Sequence, residues 1–383
     1  MDFSFTEEEI MIRDMARDFA QKEIAPNVAE YDREERYPIE IVRKMASLGM
    51  LGSIFPPEYG GSNMSHMGLA LMVEALSNTC QMMGSAAGQS CALQAAGLFY
   101  YGTDEQKKRF LLPFSKAERL GGAGVTEPHS GTDVAAMETM YEDKGDHFVL
   151  NGAKTWIGGA GHADWFITFA TKDKALKHKG ISAFVVERDS PGFTTRRFHN
   201  KVGYRPATTG ELIFDNCIVP KANLVGEQGE GFKVAMASVE NGRMVVSSRA
   251  IGVISACLKE CVEYAKGRIV FEQPIGRFQL VQSKITDMVV GLESAQFLNY
   301  RLAWLRDKGV TSARKEAAIA KMYATDVLMR TVVDACQIFG AYSCSDEYNV
   351  GRYYRDAKFF QIVEGNNDLQ RVLIAEITLG YRR

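Results

Sequence analysis

Three short segments of this 383-residue chain concentrate side chains able to do chemistry. In RDAKFFQIVEGNNDLQR, residues 355–371, Glu364 ends an apolar run and precedes Gly365. Desolvation raises a carboxylate's pKa and makes it a useful proton acceptor. The glycine lets the chain turn and brings backbone close to a ligand. The same glutamate also reads as a C-cap acid at a helix break. In VTEPHSGTD, residues 125–133, hydroxyls, glycine and backbone donors share one loop, a composition suited to a polar anionic ligand or to an ordinary interdomain turn. In Lys154-Thr155-Trp156-Ile157-Gly158-Gly159, a tryptophan beside a glycine pair can wall an aromatic cofactor or fill a core.

Other chemistries lack support. There is no GxGxxG after a strand, no P-loop and no GxSxG elbow. The glycine-rich run Gly226 to Gly231 opens a helix and reads as a structural turn. The seven cysteines are scattered without CxxC, so the sequence predicts no metal set and free thiols in a reducing compartment. A net charge of -2 argues against nucleic acid as the main partner. No apolar run approaches the ~20 residues of a membrane span. The acidic start MDFSFTEEE lacks the pattern of an address, and the expected location is cytoplasmic.

The elements around these segments fall into three blocks: 1–117 helical, 118–226 rich in short strands, and 227–383 helical. Thr6 with Glu9, and Thr103 with Gln106, form capping boxes. Pro26 interrupts the first helix, and a second pattern covers Ile39 to Leu48. In the middle block, His147 to Leu150 reads as a strand closed by an Asn151-Gly152 hairpin turn. Trp165 to Ala170, Ile181 to Val186 and Glu211 to Phe214 read as further strands, with turns at Ser190-Pro191-Gly192 and Asp215-Asn216. A small barrel or sandwich is expected there. All ten prolines lie at or before Pro274, so long bundled helices are expected beyond it. The fold class is therefore α+β by segregation.

In order and spacing, the three segments, together with Pro56 to Gly61, Arg268…Phe271…Pro274…Gln279 and Gln337-Ile338-Phe339-Gly340, resemble the acyl-CoA dehydrogenase family of flavoproteins. The resemblance spans essentially the whole chain. It implies an N-terminal helical domain, a middle β domain and a C-terminal four-helix bundle, assembled as a homotetramer. It also implies FAD bound without a Rossmann domain. Val125, Thr126, Gly131, Thr132, Trp156 and Gly158 then fall at the flavin. Arg268, Phe271, Phe278, Gln279, Gln337 and Gly340 match dinucleotide contacts from a neighbouring subunit, and Asn366 and Asp368 match further ones. Glu364 matches the catalytic base. Some members carry the base one residue before a retained arginine. Here that arginine is Arg243, and Gly242 precedes it. Thr132, Glu240, Arg243 and Gly365 match positions along the thioester.

The implied reaction is α,β-dehydrogenation of an acyl-CoA to the 2-enoyl-CoA, with electrons passing to an electron-transfer flavoprotein. Two other readings are a dehydrogenase of an acyl group tethered to a carrier protein, and a catalytically silent assembly partner. The chain departs from the family in several places. Gly158 replaces the usual threonine after Trp-Ile, Asn366 a common threonine, and Val363 a common tyrosine. The loop Gly84 to Cys91 is made of small residues and lacks the arginine of glutaryl-type members. An enlarged, uncharged pocket for a branched, cyclic or bulky acyl group is expected, although small residues also let helices pack closely.

Overall fold

The protein is described by a computed structural model covering residues 4–310 and 312–381, and structural statements below concern those residues. The chain opens with α1 (Glu7–Phe19). Thr6 Oγ1 accepts from Glu9 N at 3.2 Å, and Glu9 Oε2 accepts from Thr6 N at 2.8 Å, which is the expected reciprocal cap. The helix loosens into a π turn (Ala20–Ile24) and a 3-10 turn around Pro26. Proline lacks the N–H that would continue the ladder. Next come α2 (Val28–Arg33), α3 (Ile39–Ser47), α4 (His66–Thr79), α5 (Gln81–Ala87) and α6 (Leu93–Tyr101). The short α7 (Asp104–Gln106) carries the Thr103–Gln106 capping box, and α8 (Leu112–Ser115) ends the block.

The middle block comprises β1 (Gly121–Gly124), β2 (Met140–Asp143), β3 (His147–Ile157), β4 (Trp165–Thr171), β5 (Ile181–Glu187), β6 (Phe193–Arg197), β7 (Gly210–Pro220) and β8 (Leu224–Val225). They form one eight-stranded sheet in the order β6-β7-β3-β2-β4-β5-β8, with β1 parallel to β4. Both faces of β4 and β5 are covered. Trp165, Ile167, Phe169, Ala183 and Val185 face Phe110 and Phe114 of the first block. Phe166, Ala170, Phe184 and Val186 face Phe148, Leu150 and Leu212. This explains why these strands read as continuous apolar runs rather than alternating ones.

Two expected turns are corrected. Asn151-Gly152 does not close a hairpin, because β3 runs through it, and Asp215-Asn216 lies inside β7. The two irregularities face each other. Register shifts between Leu150 and Gly152, and Asn216, at φ 51°, donates its N–H to Asn151 Oδ1 at 2.8 Å. The pair is a β-bulge, which uses the same residue types as a turn. The true β2–β3 turn passes Gly145, whose N–H is held by Asp143 Oδ1 at 3.0 Å.

The last block holds α9 (Gly231–Ala237), α10 (Val239–Gly267), a ribbon of β9 (Ile269–Val270) and β10 (Gln273–Pro274), α11 (Gln279–Asp307), α12 (Arg314–Phe339), α13 (Val350–Ile362) and α14 (Asn367–Thr378). The helices α10, α11, α12 and α13 share a core that includes Ile251, Ile254, Met288, Leu328, Val332 and Phe360. Helix α10 also packs on α4 and ties the two helical blocks together.

Candidate active site

The turn between α13 and α14 carries the candidate base. Val363 is extended, and then Glu364 and Gly365 both adopt left-handed backbone, at φ 55° and 81°. Asn366 restarts the helix by accepting Leu369 N on Oδ1 at 2.9 Å, a cap that either asparagine or threonine can supply. The Glu364 side chain reaches towards Gly242 on α10. A Cβ placed on Gly242 would lie 2.9 Å from Glu364 Oε2 and 3.1 Å from its Cδ. The two positions therefore compete for one volume, and glycine at 242 leaves it to the carboxylate.

Burial pushes the Glu364 carboxyl above the ordinary carboxylate range, while Arg243, Lys321 and Arg249 hold it back. The backbone of the turn is clamped as well. Arg243 Nε and Gln370 Nε2 each approach Glu364 O at 3.4 Å, and Gln370 Nε2 donates to Gly365 O at 2.8 Å.

The second part of the site is the loop after β1. Glu127 is buried and anchors it. Its carboxylate accepts from Glu138 N at 2.5 Å, Thr139 N at 3.0 Å and Lys154 Nζ at 2.6 Å. Lys154 is fully buried. Burial lowers the Lys154 ammonium to about 8, opposed by Glu127. Thr155 N then donates to Thr126 O at 2.9 Å, which lays the loop along β3. The next residue, Trp156, has φ 60°, is 65% exposed and meets the Phe198 ring edge-on at 5.1 Å. A large indole held outward in that conformation forms a wall. Beside it, a Cβ on Gly158 or Gly131 would meet nothing within 4 Å.

The two parts touch where Asn366 Nδ2 donates to Thr132 Oγ1 at 3.2 Å. The fold thus brings together Val125, Thr126, Gly131, Thr132, Trp156, Gly158, Glu364, Gly365 and Asn366, with Arg243 behind Glu364. An exposed indole, open space at two glycines and adjacent threonine hydroxyls fit a flat, polar heteroaromatic ring.

Other expected residues lie apart. Arg268, Phe271 and Gln279 are exposed around the β9–β10 ribbon, with Phe278 edge-on to Phe271 at 6.3 Å. Arg268 lies over the Tyr342 ring at 5.8 Å, next to the exposed Gln337 and Gly340 at the end of α12. They form a second, outward-facing group. Asp368 is exposed and faces Arg371 at 3.5 Å. Glu240 is engaged by Ala313 N at 2.8 Å, Arg306 at 3.5 Å and Arg314 at 3.8 Å, joining α10 to α11 and α12.

The small-residue loop has a packing explanation. A side chain at Gly84 would collide with Ser77 of α4, and one at Gly88 with Val245 of α10. These glycines permit close helix contact and do not by themselves enlarge a pocket.

Family comparisons agree with this architecture. Residues 6–118, 122–217 and 229–379 match the models described as acyl-CoA dehydrogenase N-terminal, middle and C-terminal domains. The chain belongs to the acyl-CoA dehydrogenase family. Among curated relatives, a short-chain specific acyl-CoA dehydrogenase of Clostridium acetobutylicum is 38% identical over 98% of this chain and 99% of its own. Among solved structures, a glutaryl-coenzyme A dehydrogenase in complex with glutaryl-CoA superposes with TM-score 0.96 at 38% identity, covering 100% of this chain and 98% of that one. A chain from work on the electron transferring flavoprotein of Acidaminococcus fermentans gives 0.96 at 39% identity, covering 99% and 100%. The prolyl acyl carrier protein oxidase AnaB gives 0.93 at 30%, covering 98% and 100%. The family is FAD-dependent, and this chain is an acyl-CoA dehydrogenase, an oxidoreductase acting on CH–CH bonds. None of the described helices is long and apolar enough to cross a membrane.

Two buried lysines, Lys154 and Lys321, carry little sequence signal of their place in the site. Lys154 heads the segment that carries Trp156, and nothing local in the sequence marks it as buried. Lys321 sat among Ala317, Ala318, Ala320 and Ala324. A lysine inside a buried alanine stripe was the available signal.

Proposed function

We propose that Glu364 removes the α proton of an acyl-CoA, and that Trp156 and the 125–132 loop would hold FAD, which would supply the hydride acceptor for the β hydrogen. The observation that carries this reading is the space at Gly242 filled by the Glu364 carboxylate, beside Arg243 and within reach of the flavin loop through Asn366 and Thr132. A C–H α to a thioester is a weak acid. Its removal needs a base of raised pKa and donors placed where the enolate charge develops. Burial supplies the first. The Glu364 N–H, on the backbone clamped by Gln370 and Lys321, is the donor we assign to the thioester carbonyl. Thr126 and Thr132 would hold the flavin. Arg268, Phe271, Phe278, Gln279, Gln337 and Gly340 would hold the dinucleotide of a neighbouring subunit in a homotetramer, with Asp368 contributing nearby. Glu240 would line the thioester tunnel from its helix junction.

The acyl group we favour is neutral and carries bulk near Cβ. The missing side chain at Gly158 beside Trp156 supports this, whereas the Gly84 and Gly88 packing does not. The reduced enzyme would pass electrons to an electron-transfer flavoprotein. A carrier-tethered acyl group is the second reading, favoured by the full-length likeness to AnaB.

The test is flavin bleaching across short linear, branched, cyclic and dicarboxylyl CoA thioesters and acyl-carrier thioesters. Glu364→Gln should retain flavin and lose ~10²–10⁴-fold or more in rate. Near-normal turnover in that variant would place the base elsewhere. Bleaching by dicarboxylyl thioesters alone would overturn the neutral-substrate reading.

A further inference from the structure

A residue with a Cβ rests in the left-handed backbone region only where its surroundings over-determine it. At Glu364 those surroundings converge on one side chain. Lys321 of α12 is fully buried. Its Nζ donates to Gln361 O at 3.3 Å, Gly365 O at 2.9 Å and Asn367 Oδ1 at 2.8 Å. Gln361 lies in the last turn of α13, Gly365 in the connecting turn, and Asn367 begins α14. One ammonium therefore joins both helices and the turn between them, and its three donors meet three acceptors.

All three acceptors are neutral, so no bonded carboxylate cancels the charge of Lys321. Asn367 is itself oriented from α12, donating to Thr325 Oγ1 at 2.9 Å and Asp326 Oδ1 at 2.7 Å. Keeping a lysine in such a place is costly unless it is hydrogen-bonded, and a methionine would fill a similar volume.

We propose that Lys321 is a positioning residue for α-proton abstraction: it fixes the Glu364–Gly365 turn, and its charge favours the ionised form of the Glu364 carboxylate. The proposal rests on Glu364 being the base. The other charged groups facing that carboxylate are Arg243 and Arg249 of α10, with Asp326 of α12 acting on Lys321 from its own helix. Burial lowers the Lys321 ammonium to about 7, with Glu364 opposing the shift.

The experiment uses the FAD-loaded enzyme with a saturated acyl-CoA that it turns over. Lys321→Met and Lys321→Arg are compared with wild type by flavin content, thermal midpoint, kcat, KM and the pH profile of kcat/KM. Lys321→Met should keep flavin and lower kcat ~10–100-fold with little change in KM. The acidic limb should move up by roughly one pH unit, because a cation beside the carboxylate is gone. Lys321→Arg, which keeps the charge, should leave that limb in place even if kcat falls. A limb unmoved in a flavin-loaded Lys321→Met enzyme overturns the proposal, as does an identical limb in the two variants. Should Lys321→Met fail to fold, Lys321→Gln removes the charge, keeps an amide donor and is judged by the same limb. Glu364→Gln is measured alongside. Turnover surviving there refutes the base assignment itself, whereas turnover lost there with an unmoved limb in the lysine variants refutes only the role of Lys321.

Discussion

Gly242→Ala should damage catalysis while leaving the fold as stable or more so. The substitution lies within α10, where alanine is favoured over glycine by about 0.5–1 kcal/mol. Space is the difficulty. The new Cβ would stand 2.9 Å from Glu364 Oε2, 3.1 Å from Cδ and 3.4 Å from Oε1. Ordinary contact begins near 3.4 Å, so the carboxylate must retreat by about half an ångström. The end of a glutamate can do so cheaply, and this is why stability survives. Proton transfer does not tolerate the move as well, since a displacement of about 1 Å can cost ~10²-fold. Half that displacement predicts a loss of about tenfold in kcat. The assay is single-turnover flavin bleaching with a saturated acyl-CoA, beside thermal unfolding and flavin absorbance. The same substitution in a Glu364→Gln background should cost nothing further, because no base remains to be displaced. Unchanged bleaching in Gly242→Ala, or an equal loss in both backgrounds, would refute the shared-volume argument.

Lys154→Met leaves Glu127 buried without its counter-charge, which typically costs ~3–5 kcal/mol. The thermal midpoint should fall and flavin should be lost on gel filtration, with Glu127→Gln/Lys154→Met recovering much of both. Glu74 accepts from Tyr300 and Gln296, and burial pushes its carboxyl up to about 7. Because the folded pKa is raised, the stability from this group is full below about 4.5 and is lost as pH rises through about 7. Glu74→Gln should therefore gain about 2–3 kcal/mol at pH 8 relative to pH 5, and equal effects at both pH values in denaturant titrations would count against it. Gly158→Thr meets no backbone obstacle and adds one hydroxyl, worth ~0.5–1.5 kcal/mol as a hydrogen bond. kcat/KM should change by roughly tenfold or less for short linear substrates and fall further for bulky ones, while an equal change across the panel would remove the support for bulk near Cβ.

What could be read from sequence was set mainly by how local its cause is. The caps at Thr6 and Thr103 depend on a partner three residues away, and both are present. The helix break at Glu364 and Gly365 is legible because the apolar approach and the glycine are adjacent in the chain. Asn151-Gly152 departs from its expected turn for the opposite reason. A turn and a bulge ask for the same residues, and the choice was made by Asn216, 65 positions away. The small residues from Gly84 to Cys91 stayed ambiguous until Ser77 and Val245 were seen against them. Lys154 and Lys321 were missed because a lysine is buried only where distant groups receive it. Glu127 lies 27 residues from the first, and Gln361, Gly365 and Asn367 lie 40 to 46 from the second.

Those two lysines stand under the two halves of the site in opposite electrostatic conditions. Lys154 meets a carboxylate at 2.6 Å, so the pair presents little net charge to the 125–132 loop. It acts as a rivet, tying the 125–139 loop to β3. Lys321 meets only carbonyl and amide oxygens, so its field extends to its neighbours, and Arg243 adds to that field from the other helix. Lys321, Arg243 and Arg249 therefore all act on the Glu364 carboxyl in the same sense. On the proposed mechanism the Glu364 carboxylate has to be ionised before it takes a proton, and the thioester oxygen would gain negative charge as it does so. Exchanging the two environments, with a neutral partner for Lys154 and a carboxylate for Lys321, would place positive charge beneath the 125–132 loop and remove it from Glu364. On that proposal, the asymmetry of the two lysines follows the direction in which charge would move during the reaction.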